Sequence, residues 1–272
     1  AEVAQLERSG VRFELNAPIG RAESIDDLLQ LHDAVFIGIG AGLPKFLDVP
    51  GENLVGVQSA NEFLTRVNLM GANRPDAETP VLVGKRVAVI GGGNTALDAV
   101  RTAVRTGAES ATVYYRRTED EMPARTEEIR HAREEGVHFE FLLSPVAFGG
   151  VGRVESLRLI RMRQAEPGAD GRRGVEPIEG SEVDVPVDTV VVAVGNAPNP
   201  MLSSTPGLRM SRWGTIITDP ETGMTDKPDV FAGGDIVTGG ATVILAMGAG
   251  RRAAQSIDGY LRTGVVAAGS PD

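Results

Sequence analysis

The sequence contains no cysteine. That absence excludes a redox disulfide, thiolate-held iron–sulfur clusters and a thiol nucleophile from this chain. No apolar run reaches membrane-spanning length, and no segment has the order of a secretory signal. An excess of basic residues is missing too. The 27 Lys and Arg stand against 37 Asp and Glu, for a formal net charge of −10. Neither nucleic acid nor an anionic membrane is therefore an expected partner. The three histidines, His32, His131 and His138, show no metal-ligand spacing with acidic partners and read as surface or structural residues. The chain opens without an initiator Met and without a strand–glycine turn, as though part-way through a domain. These traits describe a cytoplasmic protein, and 272 residues are enough for two domains with separate cores.

The most informative stretch is V-A-V-I-G-G-G-N-T-A over 87–96. A short β-branched run over 85–90 reads as a buried parallel strand. Glycines spaced G-x-G-x-x-A follow, and then an Ala- and Val-rich helical pattern over 95–106, with Gly107 as its C-cap. Strand, tight turn and helix N-terminus together cradle a dinucleotide pyrophosphate. Gly91 allows the turn, Gly93 lets backbone approach the phosphates, and Ala96 lets the helix pack close to the strand. With Gly92, Asn94 and Thr95 they form the candidate pyrophosphate site, facing the free amides of the helix.

The second strand, over 111–115, decides between dinucleotides. NAD sites place Asp or Glu about 20 residues past the turn, on the ribose 2′-hydroxyl. Here Arg116 and Arg117 stand about 25 residues past Gly91, and the first acid comes only at Glu119. Two guanidinium forks suit a 2′-phosphate, so the expected cofactor is NADP. A solvated arginine pair is the plainer alternative.

The rest of the chain alternates. Expected helices cover 1–10, 24–31, 59–70, 127–135 and 242–261. Expected strands cover 11–15, 34–39, 137–142, 188–194, 215–218 and 230–232, with a hairpin-like insert over 154–164 and 182–187. The glycines at 38–42 mimic the fingerprint, but Leu43 fills the third glycine position and Pro44 stops a helix from continuing. A second match, at 248–253, lies inside a helical pattern with no strand before it, and reads as close helix packing. The expected fold is α/β, with a βαβ unit inserted into another domain.

Residues Phe231-Ala232-Gly233-Gly234-Asp235, then Gly240-Ala241-Thr242-Val243 and a helix, resemble the C-terminal FAD signature of thioredoxin-reductase-like flavin reductases. More narrowly, segments 34–45, 50–64, 85–98, 113–128 (with E-M-P-A-R) and 229–254 resemble the glutamate synthase small-subunit family. They equally resemble the related large subunits of NADH-dependent reduced ferredoxin:NADP oxidoreductase. The resemblance covers nearly the whole chain. It implies two Rossmann-like domains: an NADP domain over 81–197, inserted into an incomplete FAD domain made of 1–80 and 198–272. It implies that Asp235 hydrogen-bonds the ribityl or pyrophosphate region of FAD. Backbone at Ala241, Thr242 and Val243 would then face the flavin, where helix amides stabilise its anionic edge. Gly195 and Gly234 join these as candidate cofactor residues. Taken alone, Gly233-Gly234 reads equally as a loop turn and Asp235 as a helix cap. The family's N-terminal iron–sulfur cysteines and its first FAD glycine turn are not in this sequence.

The implied function is hydride transfer from NADPH to FAD. Single electrons then pass to iron–sulfur centres on a partner subunit or domain. Such transfer needs positioning rather than a protein acid or base, so no catalytic residue is named. Two alternatives stand beside it. One is a non-catalytic NADP-binding docking fragment that does not hold FAD by itself. The other, a short-chain dehydrogenase, lacks its Tyr-x-x-x-Lys: no lysine follows Tyr260.

Overall fold

The computed structural model describes residues 2–74, 76–81, 83–167 and 173–264. The chain divides into two compact units. One comprises Ala1–Leu43 with Asn196–Asp272; the other, Pro44–Gly195, is inserted into it.

The first unit begins with α1 (Glu2–Arg8), α2 (Ile25–Leu31), β1 (Val35–Ile37) and the short β2 (Leu43–Pro44). Ser24 opens α2 through a capping box. Its hydroxyl accepts the Asp27 N–H at 3.0 Å, and the Asp27 carboxylate accepts the Ser24 N–H at 2.9 Å. Residues 11–15, expected as a strand, form none. All five are exposed and pair with no strand among the described residues, so their β propensity has no ladder to join.

The inserted unit runs through β3 (Val57–Ser59), α3 (Ala60–Leu64) with a π turn over Thr65–Leu69, β4 (Arg86–Ile90), α4 (Asn94–Arg105) and β5 (Ser110–Tyr115). There follow α5 (Thr126–Glu134), β6 (His138–Phe141), β7 (Leu143–Gly149), β8 (Ser156–Pro167), β9 (Arg173–Pro177), β10 (Val183–Pro186) and β11 (Thr189–Val192). Five strands form a parallel sheet in the order β3-β11-β4-β5-β6. After the exposed Arg86, strand β4 is buried along both faces, which is why Val87–Ile90 reads as an unbroken apolar run. Val87 and Val89 face a core shared with Leu97 and Val100 of α4 and Ile129 of α5. Ala88 and Ile90 face the opposite core, built by Leu157 and Leu159 of β8 and Phe148 of β7. The sheet is thus covered by helices on one side and by the antiparallel sheet of β7, β8 and β10 on the other, with β9 paired to β8.

The strand expected over 137–142 is present as β6, and Leu142, at φ 55°, separates it from β7. Two expectations are corrected. The hairpin insert is present, but it gains β7 and β9, which lacked a clear alternation in the sequence. The unit also begins at Pro44 and not at residue 81, because β3 pairs with β11 and Phe63 of α3 is fully buried in the core with Val89 and Leu97.

The first unit resumes with β12 (Asn196–Ala197), β13 (Val230–Ala232), α6 (Asp235–Thr238) and α7 (Val243–Thr263). Strands β1 and β13 pair in parallel, and Val35, Ile37, Val230 and Ala232 face a core with Ile25 of α2 and Ile236 of α6. On their other face α7 lies close. A Cβ at Gly233 would come within 3.3 Å of Ala249, and one at Gly223 within 3.3 Å of Ala253. The close packing expected at 248–253 is made by Ala249 and Ala253. Among the described residues a Cβ at Gly248 would meet only the Arg252 side chain at 3.5 Å and one at Gly250 nothing within 4 Å, so the two glycines of the pattern do not serve it. Residues 215–218 make only isolated bridges, Ile216 to Met210 and Thr218 to Thr225, instead of the expected strand. Among the described residues no helix is long and apolar enough to cross a membrane, and no group of His, Asp or Glu could hold a metal ion.

An ion-pair cluster locks α4 to α5. Arg101 donates to Glu135 at 3.0 and 2.8 Å and also pairs with Glu128, while Arg105 reaches Glu135 at 2.6 Å. The hydrogen bonds from Arg101, joined by Arg105, hold the Glu135 carboxyl at about 2 against the opposing cost of burial. A depressed carboxyl contributes stability above its unfolded value of 4.5, and that stability is lost as pH falls toward 2. Glu135→Gln is expected to cost about 1–2 kcal/mol at neutral pH and to flatten the acid limb of a urea-denaturation series.

Candidate functional site

From β4 the chain crosses through α4 to β5 and through α5 to β6, all on one side; β11 and β3 lie on the other side of β4. The order reverses between β4 and β11. In open parallel sheets ligands bind in the crevice beyond the carboxyl ends of such a pair. The glycine turn 91–93 leaves β4 at that point, and Ala193–Gly195 leaves β11 beside it.

Each glycine has a separate reason. At Gly91 φ is +140°, and a Cβ would stand 2.9 Å from the Ala193 carbonyl carbon and closer still to its oxygen. At Gly92 a Cβ would meet the Tyr115 ring at 2.6 Å. At Gly93 a Cβ would meet, among the described residues beyond its chain neighbours, only Pro123 Cγ at 4.0 Å. The first two glycines thus serve the fold, while the third leaves open space at the N-cap of α4. The Ala96 and Leu97 N–H groups donate to the Gly93 carbonyl oxygen at 3.0 and 3.2 Å, which leaves the amides of Asn94 and Thr95 at the start of the helix for an anion. Ala96 is fully buried, which brings α4 down onto β4. Asn94 and Thr95 are exposed. Asn94 Oδ1 accepts the Arg125 N–H at 3.0 Å. Gly195, at φ +97°, is exposed beyond β11, and its carbonyl oxygen accepts the Lys45 N–H at 3.0 Å.

Arg116 and Arg117 follow β5 directly. Arg116 is exposed and Arg117 half-buried. The Arg117 Nε is buried without a hydrogen-bond partner among the described residues. A buried donor without an acceptor costs free energy, and a phosphate oxygen is the acceptor such a group lacks. Nearby, burial alone would raise the Glu121 carboxyl. Hydrogen bonds from Thr118 and Gln164 and the positive charge of Arg117 outweigh it and hold the group below the usual carboxylate range.

The first unit carries the other candidate residues. Gly234, at φ +77°, turns the chain from β13 into α6. Asp235 opens α6, and its Oδ1 accepts the Ala241 N–H at 3.2 Å, which folds the intervening loop back on α6. Thr242 caps α7 by accepting the Leu245 N–H at 3.3 Å. The first turn of α7 is bare: Val243 is 75% and Ile244 81% exposed. Free helix amides beside an exposed apolar turn match the chemistry of a flavin ring, whose carbonyl edge takes hydrogen bonds and whose faces are apolar. The glycines at 38–42 end in β2 and not in a helix, so they build no second pyrophosphate turn.

The segment 118–125 did not stand out in the sequence as part of the site. Its Pro123 lies over Gly93 and its Arg125 meets Asn94. The E-M-P-A-R stretch was the available signal.

A family model for pyridine nucleotide-disulphide oxidoreductase matches residues 17–257. The chain belongs to this family. Within the family it is 42% identical to the glutamate synthase [NADPH] small chain of Halomonas elongata, over 95% of this chain and 56% of that protein. It is 41% identical to the Escherichia coli K12 small chain, over 93% of this chain and 55% of that protein. Across the most similar curated relatives this chain spans 40–65% of their length. The fold matches Mycobacterium tuberculosis FprA, solved in complex with NADPH, with a TM-score of 0.74 at 22% identity. That match covers 94% of this chain and 70% of FprA. The two-dinucleotide α/β architecture is therefore that of the family. The disulphide chemistry in the family's name has no counterpart in this chain, which has no cysteine.

Proposed function

We propose that this chain is an NADPH:flavin oxidoreductase module of the glutamate synthase small-subunit kind. The observation that carries the reading is the buried, unpartnered Nε of Arg117, with Arg116 beside it, at the end of the strand next to the glycine turn. In this reading the Pro44–Gly195 unit is the NADP domain. Gly93 and the amides at Asn94 and Thr95 receive the pyrophosphate, buried Ala96 lets the helix pack close to the strand, and the two arginines grip the 2′-phosphate. Gly91 and Gly92 hold the turn, and Gly195 lines the mouth beside it.

The other unit is the flavin domain. FAD, when bound, takes a hydride from NADPH and releases the electrons singly. The α7 amides at Thr242 and Val243 stabilise the charge that collects on its ring, Asp235 holds the loop through Ala241, and Gly234 leaves room for the ribityl chain. Lacking cysteine, the chain passes electrons to iron–sulfur centres carried by a partner subunit or domain, in the cytoplasm.

A second reading is favoured by the run of Gly38–Gly42 into β2: an NADP-binding docking module that does not hold FAD by itself. One experiment separates them. Purified chain is mixed with FAD, desalted and scanned for flavin absorbance, then titrated with NADPH and with NADH by calorimetry. Retained flavin with micromolar NADPH binding and much weaker NADH supports the oxidoreductase. Micromolar NADPH binding without flavin selects the docking module. Equal or absent binding of both nucleotides overturns the NADP assignment.

A further inference from the structure

The segment between β5 and α5 is pinned onto the glycine turn. The Ala124 N–H donates to the Gly92 carbonyl oxygen at 3.2 Å, and the Arg125 N–H donates to Asn94 Oδ1 at 3.0 Å. Behind them the Tyr115 hydroxyl donates to the Glu121 carbonyl oxygen at 2.9 Å. Pro123, between these ties, is the nearest group to the open side of Gly93. Residues 118–125 therefore form a strap across the mouth of the nucleotide turn. Its base, Arg117, is held by the Leu142 N–H at 3.2 Å, and its far end is held at Ala124 and Arg125.

A backbone N–H can only donate, so the Asn94 atom that faces Arg125 must be the side-chain oxygen. That fixes the amide's orientation and commits its acceptor to the strap. Arg125 is also the N-cap of α5, so the same bond sets where that helix begins. Without it the Arg125 N–H loses its acceptor and the far end of the strap is held by Ala124 alone.

We infer that Asn94 is a positioning residue for nucleotide discrimination: it holds the 118–125 strap, and through it the Arg116–Arg117 pair at the strap's base, at the distance from the glycine turn that a 2′-phosphate requires. The inference rests on the NADP reading above. It assigns the side chain of Asn94 a different task from the pyrophosphate contact made by its neighbouring amides.

The test uses the full chain, with NADPH and NADH titrated by calorimetry into the parent, Asn94→Ala and Asn94→Asp, and a thermal melt of each. Asn94→Ala should weaken NADPH about tenfold and NADH by less than about twofold, so that discrimination falls. Asn94→Asp keeps an oxygen for the Arg125 N–H. It should preserve the parent's NADPH-to-NADH ratio while its carboxylate, beside the pyrophosphate, weakens both nucleotides alike. If Asn94→Ala does not fold, Asn94→Asp carries the test by its ratio. Equal losses for both nucleotides in Asn94→Ala would make Asn94 a direct pyrophosphate ligand and overturn the inference. So would a parent-like ratio in Asn94→Ala, or a collapsed ratio in Asn94→Asp. Failure of the underlying NADP reading looks different: the parent chain itself would fail to distinguish the two nucleotides.

Discussion

Replacing Arg116 and Arg117 together by alanine is expected to weaken NADPH binding by about 100-fold and to leave NADH within about threefold. The asymmetry follows from what each arginine lacks. The Arg117 Nε has no acceptor among the described residues, and Arg116 lies exposed beside it. Each charge-assisted bond to a phosphate adds about a factor of ten at a partly exposed site. NADH has no 2′-phosphate and forfeits nothing when these bonds are removed. Raising the ionic strength should narrow the gap between the nucleotides in the parent and leave the double variant unaffected. Calorimetric titration at two salt concentrations measures both effects. An equal loss for NADH would show that the arginines support the fold of the crevice and not the phosphate.

The two outer glycines of the turn are expected to fail in opposite ways. Gly91→Ala drives a Cβ into the Ala193 backbone at a φ of +140°, so it should destabilise the inserted unit by about 3–5 kcal/mol. Backbone cannot swing aside as a flexible side chain can. Gly93→Ala meets only Pro123 at 4.0 Å, from an extended φ of −90° that any residue adopts. Its stability cost should stay below about 1 kcal/mol. Its methyl group, however, occupies the space through which the α4 amides meet the pyrophosphate. Gly93→Ala should therefore keep a parent-like urea midpoint while NADPH and NADH affinities both fall by more than about tenfold. Urea titrations and calorimetry on the two variants separate a glycine needed for folding from one needed for the ligand. A stable Gly91→Ala, or a Gly93→Ala with parent-like affinity, would reverse these roles.

Local rules made much of this legible in advance. From Val87 to Ile90 the β4 run is apolar because both faces of the sheet are covered, and the α4 pattern after it leaves no other placement for 91–96. Pro44 correctly ruled out a helix after the decoy glycines. What the sequence hid was set by partners far along the chain. Residues 11–15 have strand composition, but strand formation needs a neighbour, and none pairs with them among the described residues. The boundary at Pro44 was obscured because β3 has only three residues, and its membership shows only through β11, far along the chain. Gly91 reads as a turn glycine from its spacing, yet the atom that makes it obligatory is the carbonyl of Ala193. Asn94 reads as part of the phosphate fingerprint, and only three dimensions show its side chain turned to Arg125.

The central strand of the inserted unit also sets the timetable on which the protein can be made. Strand β4 finds β5 soon after it is synthesised, but its other edge waits for β11. The clamp that closes that edge joins Arg86 to Asp188, 102 positions later. At about 5–20 residues per second, a ribosome leaves this apolar edge open for roughly 5–20 s. During that interval the nucleotide crevice has only one wall, and the nascent chain offers a free β-edge to its neighbours. Cofactor capture is thus a late event in the life of each molecule. A slowed ribosome lengthens the interval in which the unfinished sheet can pair with another copy of itself.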